Sequence, residues 1–187
     1  MEELRELKER LKEERPAPWE AMPDIALYMD QLISYMPRQL IRFEESENLT
    51  SAMVNNYIKD GLLPRAEGKR YGPTHLAYLT AICALKQVLS VKEMKTLIQN
   101  GTEGREPECL YSHFCRVLDH ALNETADGLD ETTEQENLAR LALGLALRSY
   151  ANKLACERIL NLLRDPEEKT DEKKQGKNKS KNKNKSD

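Results

Sequence analysis

Ser51, Asn55, Asn56 and Lys59 are spaced to share one side of a short helix, and Arg65, Lys69 and Arg70 follow close behind. An asparagine amide can pair with the N6 and N7 edge of adenine through two hydrogen bonds in the major groove. Lysine and arginine beside it are the groups that hold phosphates and set register. Thr50 precedes the segment as an N-cap, so it and the first free helix amides could face the same anion. Tyr71 ends the run. Thr50, Ser51, Asn55, Asn56, Lys59, Arg65, Lys69 and Arg70 are therefore the candidate DNA-binding set. The same residues also suit a structural account, in which a capped helix is followed by a solvated basic loop.

Other reactive side chains converge less. Cys109 and His113 stand four residues apart and could share a helix face around zinc, but Cys115 points elsewhere and no fourth ligand is evident. Buried thiols are the simpler account, and no metal or cofactor is expected. His75 and His120 have no triad partners. There is no glycine-rich phosphate loop, Ser-His-Asp set or carboxylate pair. Asp24 and Asp30 suit capping and surface roles. An enzyme is not expected.

The elements that must carry the basic set are helical. The chain has 187 residues, 39% hydrophobic and 33% charged, rich in leucine, alanine and long charged residues. Residues 2–15 suit a charged helix with Leu4, Leu7 and Leu11 on one side, either a docked arm or a frayed one. Ile25, Tyr28, Met29 and Leu32 predict a buried face for a helix from Asp24 to Tyr35, with Pro37 dividing it from Leu40, Ile41 and Phe43. Residues 44–48 form a polar break. Thr50 caps a helix over Ser51–Lys59, stopped by Asp60-Gly61 with Gly61 left-handed. Pro73 opens a helix to about Leu89, and Ser90 caps another from Val91 to Ile98, ended by Asn100-Gly101. After a linker come helices over about 108–123 and 132–163. In the last, Leu138 to Leu147 is apolar on nearly every side, which predicts a buried central helix. A heptad seam through Leu138, Leu141 and Leu145 breaks at Arg148 and Asn152. The remainder is lysine- and asparagine-rich and of low complexity.

Charge restricts where an anion could bind. The net charge is −3, but Lys173 to Asp187 holds seven lysines and one aspartate, which leaves −9 for the rest. From Val117 to Ala139 there is no lysine or arginine, while Asp119, Glu124, Asp127, Asp130, Glu131, Glu134 and Glu136 are acidic. Such a face repels phosphate, so any DNA must bind elsewhere. The lysine tail suits either non-specific nucleic-acid binding or solubility. No apolar run could span a bilayer, the N-terminus lacks a signal-peptide core, and the four scattered cysteines fit reduced thiols in the cytoplasm.

From Leu49 to Pro64 the sequence reads Leu-Thr-Ser-Ala-Met-Val-Asn-Asn-Tyr-Ile-Lys-Asp-Gly-Leu-Leu-Pro, followed by Gly68-Lys69-Arg70-Tyr71 and His75-Leu76. This resembles the MerR-type winged helix-turn-helix. There, a recognition helix carrying an aromatic residue ends in Gly-Leu-Leu-Pro, and a basic wing and a tyrosine follow, so the resemblance adds Tyr71 to the candidate DNA-binding set. Leu89-Ser90-Val91-Lys92-Glu93-Met94 looks like that family's next short helix. Asn55 stands where arginine is usual, Asn56 replaces the first aromatic, and Lys69 replaces a wing tyrosine. The chain is similar, more closely still, to a bacterial family of domains of unknown function that share Leu27-Tyr28-Met29-Asp30-Gln31 and an Asn-Asn-Tyr helix.

The expected fold is all-α, with a MerR-like winged helix-turn-helix head followed by a C-terminal helical unit. Its divisions are a charged arm (1–23), the head (24–100), a dimerisation or regulatory region (101–164) and a lysine-rich tail (165–187). The resemblance implies a homodimeric transcriptional regulator that binds double-stranded DNA, with the effector unspecified. The alternative is a protein-interaction module on the same fold without sequence-specific DNA binding.

Overall fold

Good helix formers give helices wherever a cap or proline lets one begin and tertiary packing supports it. A computed structural model describes residues 2–41, 48–102 and 104–164. Among them are seven α-helices: α1 (Glu2–Glu13), α2 (Met29–Tyr35), α3 (Ser51–Lys59), α4 (Pro73–Leu85), α5 (Val91–Thr102), α6 (Pro107–Asp127) and α7 (Leu138–Leu163). Extended pairing among the described residues is limited to two isolated antiparallel bridges, Leu27 with Tyr71 and Glu67 with Arg70. The fold is therefore all-α. Phe43, most of the polar break (44–47) and the lysine-rich tail (165–187) lie outside the described residues.

The caps explain several boundaries. Thr50 Oγ1 accepts the Met53 N–H at 3.3 Å, and α3 spans Ser51–Lys59 as its sequence predicts. Gly61 takes φ +72°, a left-handed conformation that glycine adopts without steric cost. Ser90 and Glu93 form a capping box: Glu93 Oε2 accepts from Ser90 N at 2.8 Å and Oγ at 2.6 Å. The two hydrogen bonds from Ser90 hold the Glu93 carboxyl below its ordinary range.

Other boundaries differ from expectation. α2 begins at Met29, not Asp24, because Leu27 is drawn into the backbone pair with Tyr71 and Gln31 Oε1 accepts the Tyr28 N–H at 2.9 Å. Ile25 and Tyr28 are consequently exposed, and Leu27 is buried in their place. α4 stops at Leu85, although Leu89 turns back to bury itself. α5 runs through Gly101, and Gly104 supplies the left-handed turn beyond it. α7 starts at Leu138, not Thr132, because Asp130 Oδ1 takes the Thr132 N–H at 2.9 Å and its hydroxyl at 2.7 Å. That local turn competes with helix for the same backbone donor.

One core joins these elements. Leu32, Met36, Val54, Tyr57, Leu62, Leu76, Leu79, Ile82 and Met94 are buried together, and Tyr111 of α6 and Leu160 of α7 belong to the same cluster. α7 is not the buried central helix its composition predicts. Leu160 is its one buried residue, whereas Leu143, Leu147, Tyr150, Leu154, Ile159 and Leu162 are exposed. α5 is the one long helix packed closely against it among the described residues, too little surface to enclose a helix apolar all round.

The charged N-terminal segment is docked. Its cations meet the acidic stretch of α6 and the loop after it: Arg15 with Asp119 at 2.6 Å, Lys12 with Asp127 at 2.9 Å and Lys8 with Glu131 at 3.1 Å. Lys8 Nζ also donates to Leu129 O at 3.0 Å, and Leu4 is buried beneath. The hydrogen bond and charge of Lys12 hold the Asp127 carboxyl below its usual range. A carboxylate with a lowered folded-state pKa favours docking above its ordinary pKa, and that support is lost as pH falls through the lowered value. Hydrogen exchange of α1 amides should therefore accelerate on acidification, and also in 0.5 M salt, about a 4 Å screening length. Unchanged exchange in both conditions would show that apolar contact alone holds α1.

Candidate nucleic-acid interface

α3 divides cleanly into two faces. Val54 and Tyr57 are buried, with Met53 and Ile58 partly so, while Ser51, Asn55, Asn56 and Lys59 are exposed together. Burial of Tyr57 raises its hydroxyl pKa, as expected for a phenol removed from water. The helix end is tied down beneath this face. Leu62 and Leu63 N–H both donate to Tyr57 O, at 2.9 and 3.1 Å, and both leucines are buried. The exposed polar face is thus held on a rigid apolar base, with Thr50 exposed at its N-terminal end.

The basic residues stand on a tight turn after α3. Glu67 and Arg70 exchange backbone hydrogen bonds of 3.1 and 3.0 Å, and the two residues between them, Gly68 and Lys69, have φ of +56° and +64°. Two central residues with positive φ are the signature of a type I′ hairpin turn. Lys69 is the one non-glycine residue with positive φ among the described residues. A left-handed L-residue costs roughly 1–2 kcal/mol. Residues kept in such conformations cluster at functional sites.

Arg65, Lys69 and Arg70 are exposed. Arg70 is also oriented. Its Nη2 donates to Tyr28 Oη at 2.9 Å, and the guanidinium carbon sits 5.0 Å from the Tyr28 ring centroid. Tyr28 was expected in the buried stripe of the first helix. Its role here depends on the Leu27–Tyr71 pairing, a contact across 44 residues of sequence that no local pattern reveals.

Tyr71 is placed differently from the other candidates. It is 5% exposed, its ring packs edge-on to His75 at 5.4 Å, and burial raises its hydroxyl pKa. It anchors the turn from inside. His75 completes that anchor. Gly72 N–H donates to His75 Nδ1 at 3.1 Å, leaving Nε2 to carry the proton and donate to Arg65 O at 3.2 Å. One buried imidazole therefore ties the start of α4 to the far side of the basic loop. Sequence reasoning found no role for His75, although its position three residues after Gly72, with Pro73 between, fits a capping side chain.

Cys109 and His113 lie on exposed parts of α6, and His113 Nδ1 is 3.4 Å from Arg116 Nη2. Among the described residues no group of three or more His, Cys, Asp or Glu side chains lies close enough to hold a metal. No described helix is long and apolar enough to cross a membrane.

Two substitutions test this construction. Lys69→Gly should keep or raise thermal stability, because relief of the left-handed strain outweighs the roughly 0.5–1 kcal/mol of glycine chain entropy. His75→Ala should cost about 1–3 kcal/mol in denaturant unfolding by leaving Gly72 N–H and Arg65 O without their partner. A destabilised Lys69→Gly variant, or a neutral His75→Ala variant, would contradict these roles.

A protein-family model described as "Domain of unknown function (DUF1836)" matches residues 17–114, just over half of the chain. The matched span holds α2 to α5 and the start of α6, and so every residue of the candidate face. No curated protein and no solved structure matches the chain significantly.

Proposed function

We propose that this chain, which belongs to the DUF1836 family, is a cytoplasmic DNA-binding transcriptional regulator that docks a MerR-like winged helix-turn-helix on double-stranded DNA as a dimer. α3 is the recognition helix, presenting Asn55 and Asn56 to base edges in the major groove, with Ser51 and Lys59 beside them. The turn at 67–70 is a minimal wing. Lys69 and Arg70, with Arg65, contact phosphates, and Thr50 adds the N-terminal end of α3. Tyr71 and His75 hold the wing in place without touching DNA. This reading assigns no catalytic residue, metal or cofactor.

The observation that carries it is Lys69. The turn places a lysine in a left-handed conformation at its exposed tip, beside an arginine held by Tyr28. A purely structural turn would be better served by glycine there. The docking of α1 supports the same reading, because it neutralises acidic groups of α6 that would otherwise oppose phosphate.

Gel-shift or anisotropy titrations over a salt series, with selected or genomic fragments, test the proposal. Affinity should fall steeply with salt. Arg70→Ala should weaken all sequences similarly and reduce the salt slope by about 1, whereas Asn55→Ala should relax preference at one base pair by about 1–3 kcal/mol. Absence of any shift at low salt with folded protein would overturn the DNA reading. A stoichiometric protein partner covering residues 50–71 would instead favour the interaction-module alternative. The net charge of −3, and asparagine at position 55 where the resembled family has arginine, are the observations on that side.

A further inference from the structure

α4, α5 and α6 surround an apolar cavity of about 330 Å³, well away from the α3 face. Small residues on α4 make the room. Ala77 and Ala81 stand one turn apart on the side that lines it, where longer side chains would fill the gap. Leu85 of α4, Leu97 and Ile98 of α5, and Leu110 of α6 form much of the rest. Leu85, Leu97 and Ile98 also pack on the buried core, so these walls are held from behind. Aromatic rings supply the α6 side. Tyr111 and Phe114 lie nearly parallel, with centroids 6.1 Å apart and planes at 22°. The Tyr111 hydroxyl points away from the cavity, donating at 2.8 Å to the carbonyl oxygen of Ala17, which is not part of the lining. Thr102 Oγ1 donates to Gln99 O at 3.5 Å. Among the described residues no lysine, arginine, aspartate or glutamate lines the cavity. His113, exposed at its edge beside Arg116, is the one lining side chain whose ordinary pKa lies near neutrality.

We propose that this cavity binds an uncharged, planar aromatic molecule about the size of two fused rings. Volume sets the size. An apolar cavity of about 150 Å³ lined by leucine, isoleucine and phenylalanine takes up benzene, and this one has roughly twice that volume. The lining sets the charge. A carboxylate or ammonium enclosed by these residues loses its water and gains no ionic partner, whereas an apolar ring loses nothing it needs. The α6 wall sets the shape, because a flat ring can lie offset against Tyr111 and Phe114 and touch wall atoms on both of its faces. A concave, mostly apolar site with a few polar groups at its edge is the usual form of a small-molecule pocket. The site goes beyond the proposed function. Its lining shares no residue with the α3 face or the basic turn, so it stands or falls without DNA binding.

The test uses the full-length chain in reducing buffer, with naphthalene as the probe and methyl-resolved NMR as the readout. Naphthalene should shift the methyl resonances of Leu85, Leu97, Ile98 and Leu110 saturably, while those of Leu143, Leu147 and Leu154 on the exposed side of α7 stay fixed. Naphthoate carries the same rings with one negative charge and should bind on the order of tenfold more weakly. Ala81→Phe should fill the cavity from α4 and raise the naphthalene dissociation constant on the order of tenfold. Gly101→Phe reaches the same space from an exposed position on α5 where an added side chain meets nothing within 4 Å, so it narrows the cavity without disturbing the core and should weaken binding even if Ala81→Phe fails to fold. Absence of methyl shifts at the solubility limit of naphthalene would overturn the proposal. So would shifts centred on α7, naphthoate binding as tightly as naphthalene, or unchanged affinity in the folded variants. Shifts of the lining methyls with protein concentration alone would seat a second copy there and likewise overturn it.

Discussion

The backbone of Tyr71 exchanges two hydrogen bonds of 2.9 Å with Leu27, and much of the chain from α2 to the start of α4 is organised around that pair. It draws Leu27 out of helix and into the core, delays α2 until Met29, and turns Tyr28 outward. Tyr28 then meets Arg70, which lies one residue before Tyr71. On the other side, the buried Tyr71 ring packs on His75, whose imidazole bridges Gly72 and Arg65. A small number of directional bonds thus fixes the basic turn relative to α3 and α4 without a sheet. Such bonds are modest individually, but leaving one buried partner unmatched costs the full desolvation of that group.

Charge is partitioned by a second long-range contact. The acidic stretch of α6 and its following loop would make a strongly negative surface if left alone. α1 and the residues just after it lay Lys8, Lys12 and Arg15 along it, so that stretch is partly neutralised within the chain. Exposed ion pairs of this kind contribute little to stability one by one. Their consequence is electrostatic, because they reduce the negative charge that stretch presents to an approaching anion.

Much of the local structure is legible in the residues themselves. Thr50, Gly61, Pro73 and Ser90 carry their cap roles in their side chains or backbone freedom, and the helices they bound are close to expectation. The polar face of α3 follows from helical periodicity alone. Where the reading fails, a tertiary contact has overruled a local preference, as at Leu27, or a side chain has claimed a backbone donor, as Asp130 does ahead of α7. Composition misleads most at α7. An all-round apolar helix is normally enclosed, yet here the chain supplies neighbours for one side only.

The sequence by itself determined an all-α chain, the starts of its well-capped helices and the exposed set Ser51, Asn55, Asn56 and Lys59. These depend on periodicity and on caps that act within a few residues. The tertiary structure alone decided that Tyr71 is an internal anchor, that Tyr28 and His75 position the basic turn, that α1 covers acidic residues of α6, and that α7 presents a bare apolar stripe. Each of those depends on residues tens of positions apart being brought together by burial of a shared core, which the order of residues along the chain does not display.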